Sequence, residues 1–358
     1  MRKYKSICLV FLLALLLPAC SYPPAGSSAQ PVSSFVSSWA QSAESSEESS
    51  SAQTSSAAAD SSSSLPSSAA SSSPASSMQS LVSKVLSASS ETILMSSSLP
   101  PTAAPSQPAP QPMPAVTAKM PQATGTEIFS RNGASVDYSN AAQGYILVRY
   151  SGTSIIKVLI YFNGGSAYYQ YNLAGDGAYV TLPLQSGSGS YKVRFMENVS
   201  GDSYAELCST ELSAAVSGWG YTLYPNQYVS YTASSAAAAK AKSLCASATS
   251  NAQKVSSIYQ FITSTIKYDY KKAASVKAGY LPSVDSTLSS KTGICFDYAA
   301  LMAAMCRSQG VPARLVIGNT SAGYHAWNDI YLDGWKRYDS TFAAAGQSAG
   351  TYTAEKYY

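Results

Sequence analysis

Gly293-Ile294-Cys295-Phe296-Asp297-Tyr298-Ala299-Ala300-Leu301-Met302-Ala303-Ala304-Met305-Cys306-Arg307-Ser308-Gln309, followed by Gly310-Val311-Pro312, is the stretch on which the reading of this chain turns. It reads as a helix from about Cys295 to Gln309. Gly at its C-terminal end and Pro just past it are the residues that helix ends prefer. Cys295 then occupies the first turn, where unpaired backbone N–H groups and the helix dipole favour negative charge, so its thiol is disposed to act as a nucleophile. Cys306, roughly 16 Å along the helix by its rise, reads as a buried core thiol. Taken alone, Cys295 is as readily a small hydrophobe as a nucleophile.

The chain's one histidine alters that weighting. His325 begins a strand in Tyr324-His325-Ala326-Trp327-Asn328, and Asp339 ends the next in Trp335-Lys336-Arg337-Tyr338-Asp339. A thiol nucleophile needs a base, and the base needs a third group to fix its tautomer. Whether these two residues meet depends on the hairpin between them. A two-residue Asp333-Gly334 loop puts Asp339 on the face opposite His325. A three-residue loop, Leu332 to Gly334, with Gly334 in the left-handed region and a bulge, pairs 331 with 335 and makes Asp339 a same-face diagonal neighbour. The bulged hairpin is therefore expected. Asp329 and Asp333 are the rival carboxylates, the first about 13 Å along the strand and the second in the turn.

These segments, with the lead-in Ile266-Lys267-Tyr268-Asp269-Tyr270, with Gly310-Val311-Pro312-Ala313-Arg314 and with Tyr338-Asp339-Ser340-Thr341, resemble the transglutaminase-like superfamily core in order and spacing over about residues 250–342. The resemblance implies a papain-like α+β fold. It also implies acyl-transfer chemistry, with Cys295 as nucleophile, His325 as general base and acid, and Asp339 orienting the imidazole. The Cys295 backbone N–H would serve the oxyanion. No residue identifies the second donor, Tyr280 being the one offered. The reading is thus a transglutaminase-like cysteine peptidase or a protein-glutamine acyltransferase working through a Cys thioester, without cofactor. No acidic cluster suggests a calcium site, and a metal-independent enzyme is expected. A wall hydrolase of another Cys–His type, whose cysteine sits in an Asp-Cys-Ser-Gly context, does not fit Ile294-Cys295-Phe296. The competing class is a non-catalytic surface adhesion or scaffold protein retaining the fold. Intact Cys295, His325 and Asp339 argue against it.

Outward from this core the composition divides. The 358 residues are 46% hydrophobic and only 12% charged, about half the usual charged fraction of ~25%. One histidine and six cysteines exclude zinc fingers and His-rich metal centres. Residues 1–19 read as a signal peptide, with Arg2, Lys3 and Lys5 before an apolar run from Ile7 to Leu17 that is too short to span a membrane. Leu17-Pro18-Ala19-Cys20 resembles the bacterial lipobox, which implies acylation of Cys20 and a lipoprotein held outside the cytoplasmic membrane, with secretion as the alternative. Without the leader, 20 basic residues face 19 acidic ones, and nothing points to nucleic acid. Residues 20–125, a third of them serine through the stretch after Cys20, read as a disordered Ser/Ala/Pro tether. All tyrosines but Tyr4 and Tyr22 lie beyond it.

Residues 126–233 alternate in short β-branched and aromatic runs: Tyr145–Tyr150, Ile155–Phe162, Ala167–Tyr171, Tyr179–Leu184, Tyr191–Met196 and Tyr204–Cys208. Turn clusters such as Gly175-Asp176-Gly177 separate them, which argues for an Ig-like sandwich architecture. Residues 234–358 read as the catalytic domain, with helices at Ala236–Ala246 and Ala252–Ile266, then strands at Ala313–Gly318, Tyr324–Leu332 and Trp335–Phe342. The segment after Phe342 is too short to do much covering of a cleft. Pairing of Cys208 with Cys245 is left open. The expected partners are an extracellular protein or a cell-wall peptide as substrate, and the membrane through Cys20.

Overall fold

The computed structural model describes residues 111–358. The expected signal peptide, the Cys20 lipidation site and most of the tether lie outside these residues. Residues 111–125, which the sequence reading placed in the tether, are irregular but laid against the folded body. Met113 N–H donates to Ala248 O (2.8 Å) and Gly125 N–H to Asp137 Oδ2 (2.9 Å), while Ala118 and Met120 pack on the core. The boundary moves because Ala118 and Met120 supply apolar contacts to the core.

An all-β module follows. Its strands are β1 (Ile128–Arg131), β2 (Ala134–Asp137), β3 (Tyr145–Tyr150), β4 (Ile156–Phe162), β5 (Tyr168–Leu173), β6 (Val180–Pro183), β7 (Gly189–Ser200) and β8 (Ser203–Ala214). They form two four-stranded antiparallel sheets, ordered β1-β2-β3-β6 and β5-β4-β7-β8. Period-two alternation places Ile156, Val158 and Ile160 of β4 inside, and Tyr191, Val193 and Phe195 of β7 with them. They share one core with Val136, Ile146, Val148 and Leu182 of the other sheet. The β1–β2 hairpin was not anticipated. Arg131 pairs with Ala134 across a two-residue Asn132-Gly133 loop with φ of 52° and 78°, the positive pair such a loop demands.

The second module builds on helices α1 (Ala236–Leu244), α2 (Asn251–Thr265), α3 (Tyr270–Ser275), α4 (Val284–Ser290) and α5 (Cys295–Ser308). Ser250 accepts from Gln253 N–H to cap α2, whose Val255, Ile258 and Ile262 are buried. Every residue of α5 is buried, as expected of a helix apolar on all sides between Asp297 and Arg307. β9 (Lys267–Tyr268) and β10 (Thr292–Gly293) pair in parallel and aim the chain into α5. Beyond it, β11 (Ala313–Thr320), β12 (Gly323–Tyr331) and β13 (Trp335–Tyr338) form a meander, then come α6 (Ser340–Ala344) and β14 (Tyr352–Tyr357). The sheet order is β13-β12-β11-β14.

Arg307 ties this module together. Its buried guanidinium donates to Ala313 O (2.9 Å), Tyr224 O (2.7 Å) and Tyr358 O (2.7 Å). Burial draws its pKa down to about 10, which leaves it charged at neutral pH.

One expectation needs correction here. The strand predicted over Trp335–Phe342 ends at Tyr338, because Asp339 accepts from the Thr341 and Phe342 N–H groups and starts α6. Beyond Phe342, β14 lies antiparallel along β11 as the sheet's edge strand.

Candidate active site

The hairpin register decides whether the three predicted residues meet. Tyr331 pairs with Trp335 and Asn328 with Tyr338, the register of the three-residue loop. Gly334 takes a positive φ of 130° as expected, and Asp333, unforeseen, takes φ 53°. Gly334 thus sits where a side chain would be strained, and the aspartate tolerates the αL turn.

With that register, Asp339 reaches His325. Imidazole Nε2 lies 2.9 Å from Asp339 Oδ2, and since a carboxylate only accepts, Nε2 carries the proton. The other ring nitrogen is left for the Cys295 thiol, which lies close enough to act on the imidazole. Burial alone would lower the pKa of His325. The hydrogen bonds from Asp339 and Cys295, with the charges of both, overcome it and push the imidazole up to about 10. The imidazolium is therefore the favoured form at neutral pH.

Packing immobilises the group. The His325 ring lies 4.7 Å from Phe342 and stacks on Trp327 at 6.4 Å. Asn328 Nδ2 donates to Ala299 O (2.9 Å) and Arg314 O (3.1 Å), docking β12 on the second turn of α5. Tyr259 hydroxyl holds the main-chain oxygen of Asp339 at 3.1 Å.

The start of α5 is built for an anion. Ile294 is the N-cap residue and has no side-chain acceptor for the first turn, and the first intrahelical bond is Tyr298 N–H to Ile294 O. Asp297 instead accepts from the Ile294 N–H at 2.9 Å. Gly293 is required here, since a Cβ on it would sit 2.7 Å from Asp297 Cβ. The fully buried Asp297 carboxylate also takes Lys272 Nζ at 2.7 Å and the Tyr280 hydroxyl at 2.6 Å. Lys272 donates to the Tyr280 oxygen as well. The structure thus places Tyr280 in a buried network beneath the helix start, its hydroxyl committed to Asp297. This is a different position from the oxyanion donor offered by the sequence.

Three tyrosines that sequence reasoning missed border the site. Burial, then the charge at Cys295, pushes the Tyr268 phenol up. Tyr324 is raised to about 12 by burial, with Glu355 and Cys295 adding to it. Tyr268 and Tyr324 sat inside quoted motifs, so adjacency was the available signal. Tyr352 hydroxyl donates to Asp339 Oδ2 at 3.0 Å, and nothing in the local sequence announces it.

Of the rival carboxylates, Asp329 lies between Arg314 and Arg337, and its pKa is raised by burial against their charges. Asp333 is in the turn. Cys208, Cys245 and Cys306 are buried free thiols, all with pKa raised by burial, so Cys208 and Cys245 do not pair. Among the described residues no cluster of three or more His, Cys, Asp or Glu side chains is placed to hold a metal.

A thiol at a helix start, beside an imidazole that a carboxylate orients, is the arrangement of papain-type thiol chemistry. Residues 238–340 match the family model of the transglutaminase-like superfamily, and this segment is a domain of that superfamily. Among solved structures, the chain is similar to a protein from Cytophaga hutchinsonii provisionally described as a cysteine protease, at 14% identity and a TM-score of 0.32, covering 55% of this chain and 78% of that one. It is similar to a TGase at 19% identity and TM-score 0.26, covering 34% and 32%. A third, provisionally described as a protease from Parabacteroides distasonis, has 14% identity and TM-score 0.25, covering 51% and 37%. No curated protein matches the chain.

Proposed function

We propose that the protein is a surface-anchored thiol enzyme that transfers or hydrolyses acyl groups at peptide or isopeptide amides. The observation that carries this reading is one imidazole held by Asp339 through Nε2 and lying within the influence of the Cys295 thiol. The Cys295 thiolate attacks the amide carbonyl carbon and the oxyanion forms against the uncapped first-turn N–H groups of α5. The His325 imidazolium gives its proton to the departing ammonia or amine as the C–N bond breaks, leaving a thioester on Cys295. Neutral His325 then takes a proton from an incoming amine or water as it attacks, and the thiolate leaves. Asp339 holds Nε2–H throughout, keeping Nδ1 toward sulfur.

In this reading acylated Cys20 holds the chain outside the cytoplasmic membrane, the Ser-rich segment gives it reach, and an Ig-like sandwich precedes the catalytic module. Substrates are then extracellular proteins or cell-wall peptides. Incubation with a glutamine peptide and a labelled primary amine separates the two outcomes: amine incorporated into peptide marks a transferase, and free acid with ammonia marks a hydrolase. A survey of extracellular protein and wall peptides in which no acyl group ever resides on Cys295 by mass spectrometry would contradict the proposal.

A further inference from the structure

We propose that Tyr352 is a positioning residue of this site, setting how strongly Asp339 holds the His325 imidazolium; this rests on the thiol-enzyme reading above. Asp339 Oδ2 is shared by two donors, His325 Nε2 at 2.9 Å and the Tyr352 hydroxyl at 3.0 Å, while Oδ1 is taken by the Thr341 and Phe342 N–H groups at 3.1 and 3.0 Å. All four interactions on the carboxylate are thus assigned, and Tyr352 supplies the one that competes with the imidazole for the same oxygen. A donor on Oδ2 draws charge from it and weakens its grip on the imidazolium.

Tyr352 is held for this task. Its ring meets Trp327 edge-on at 5.1 Å, and the Arg337 guanidinium lies 4.1 Å over it. It reaches the site because β14 runs along β11, Tyr352 pairing with Thr320, with a register shift at Ile317/Gly318. Gly318 lies opposite His325. A Cβ there would approach Thr353 O to 2.1 Å, so the close passage of β14 needs a glycine at that point. The C-terminal strand thereby contributes a hydroxyl to the carboxylate that orients His325. The titratable and charged groups around Asp339 and His325 are Cys295 from α5, Tyr259 from α2, Tyr338 from β13, Tyr352 from β14 and, over the Tyr352 ring, Arg337.

The single histidine makes the test direct, because in protein without an affinity tag His325 gives the only imidazole resonances. Tyr352→Phe keeps the ring and removes one oxygen. We expect its His325 titration midpoint to rise by about half a pH unit or more, with the Cys295 alkylation rate at neutral pH changed by up to about tenfold. 3-Fluorotyrosine at position 352 keeps the hydroxyl and acidifies it, serves as the second variant if removal of the hydroxyl prevents folding, and should move the midpoint down. Tyr259→Phe, which loses only a bond to the Asp339 main chain, should leave it in place. A purely structural role would lower thermal stability without moving the midpoint. Midpoints for both 352 variants within about 0.1 unit of the wild type would overturn the proposal. Failure of the underlying reading shows separately, as Cys295 alkylation that is indifferent to His325→Ala.

Discussion

Replacing Asp339 separates two duties that the structure assigns to one side chain. Its Oδ1 caps α6 through two N–H groups, and its Oδ2 holds the His325 imidazole. Asn is as good an N-cap as Asp, whereas Ala loses the cap at a cost of about 1 kcal/mol. The charge matters through linkage. His325 is raised from the ordinary value of 6.5 to about 10, a stabilisation on the order of 5 kcal/mol shared between Asp339 and Cys295, so roughly 2 kcal/mol belongs to Asp339. Because the folded pKa is raised, this stability is fully present below the unfolded pKa near 6.5 and disappears as pH climbs through about 10. Asp339→Asn should therefore be destabilised by about 2 kcal/mol at pH 6 and nearly match the wild type at pH 10. Asp339→Ala should lose about 3 kcal/mol at pH 6 and keep a deficit of about 1 kcal/mol at pH 10. Urea denaturation at the two pH values measures both. An Asn gap that stays constant from pH 6 to pH 10 would refute the electrostatic account of the His325–Asp339 pair.

Other outcomes follow from the same contacts. Arg307→Met removes three hydrogen bonds to main-chain oxygens and should cost about 3 to 5 kcal/mol in urea denaturation, with Arg307→Lys rescuing little because one ammonium cannot span three acceptors. Tyr280→Phe removes a donor from buried Asp297 and should cost about 1 to 2 kcal/mol; a loss of more than about a hundredfold in acylation rate, with stability intact, would return Tyr280 to the oxyanion role. In native protein at neutral pH, alkylation followed by peptide mapping should label Cys295 well before Cys208, Cys245 and Cys306, whose burial raises their pKa.

The centre of the site was legible because chain-local rules reach it. A cysteine at a helix start, one histidine, and a hairpin whose register can be counted required nothing from elsewhere in the chain. Asp339 was found by that count, yet its capping role was missed: Asp339-Ser340-Thr341 is an N-cap signature, overridden by reading Thr341-Phe342 as a continuation of the strand. The bond from the Tyr280 hydroxyl to Asp297 was not foreseen, because it depends on Lys272, Tyr280 and Asp297 converging at the start of α5, which no spacing encodes. Tyr352 was invisible for the same reason, since it arrives through the long-range pairing of β14 with β11. The β1–β2 hairpin, by contrast, carried its signal openly in Asn132-Gly133.

The central claim is that Cys295 is a nucleophile activated by His325, and its reaction rate with iodoacetamide near pH 7 tests that most directly. The account predicts fast labelling in the wild type and labelling slower by at least about a hundredfold in His325→Ala. Equal, slow labelling in both would mean that the thiol is a buried core residue and that the fold is used for binding alone.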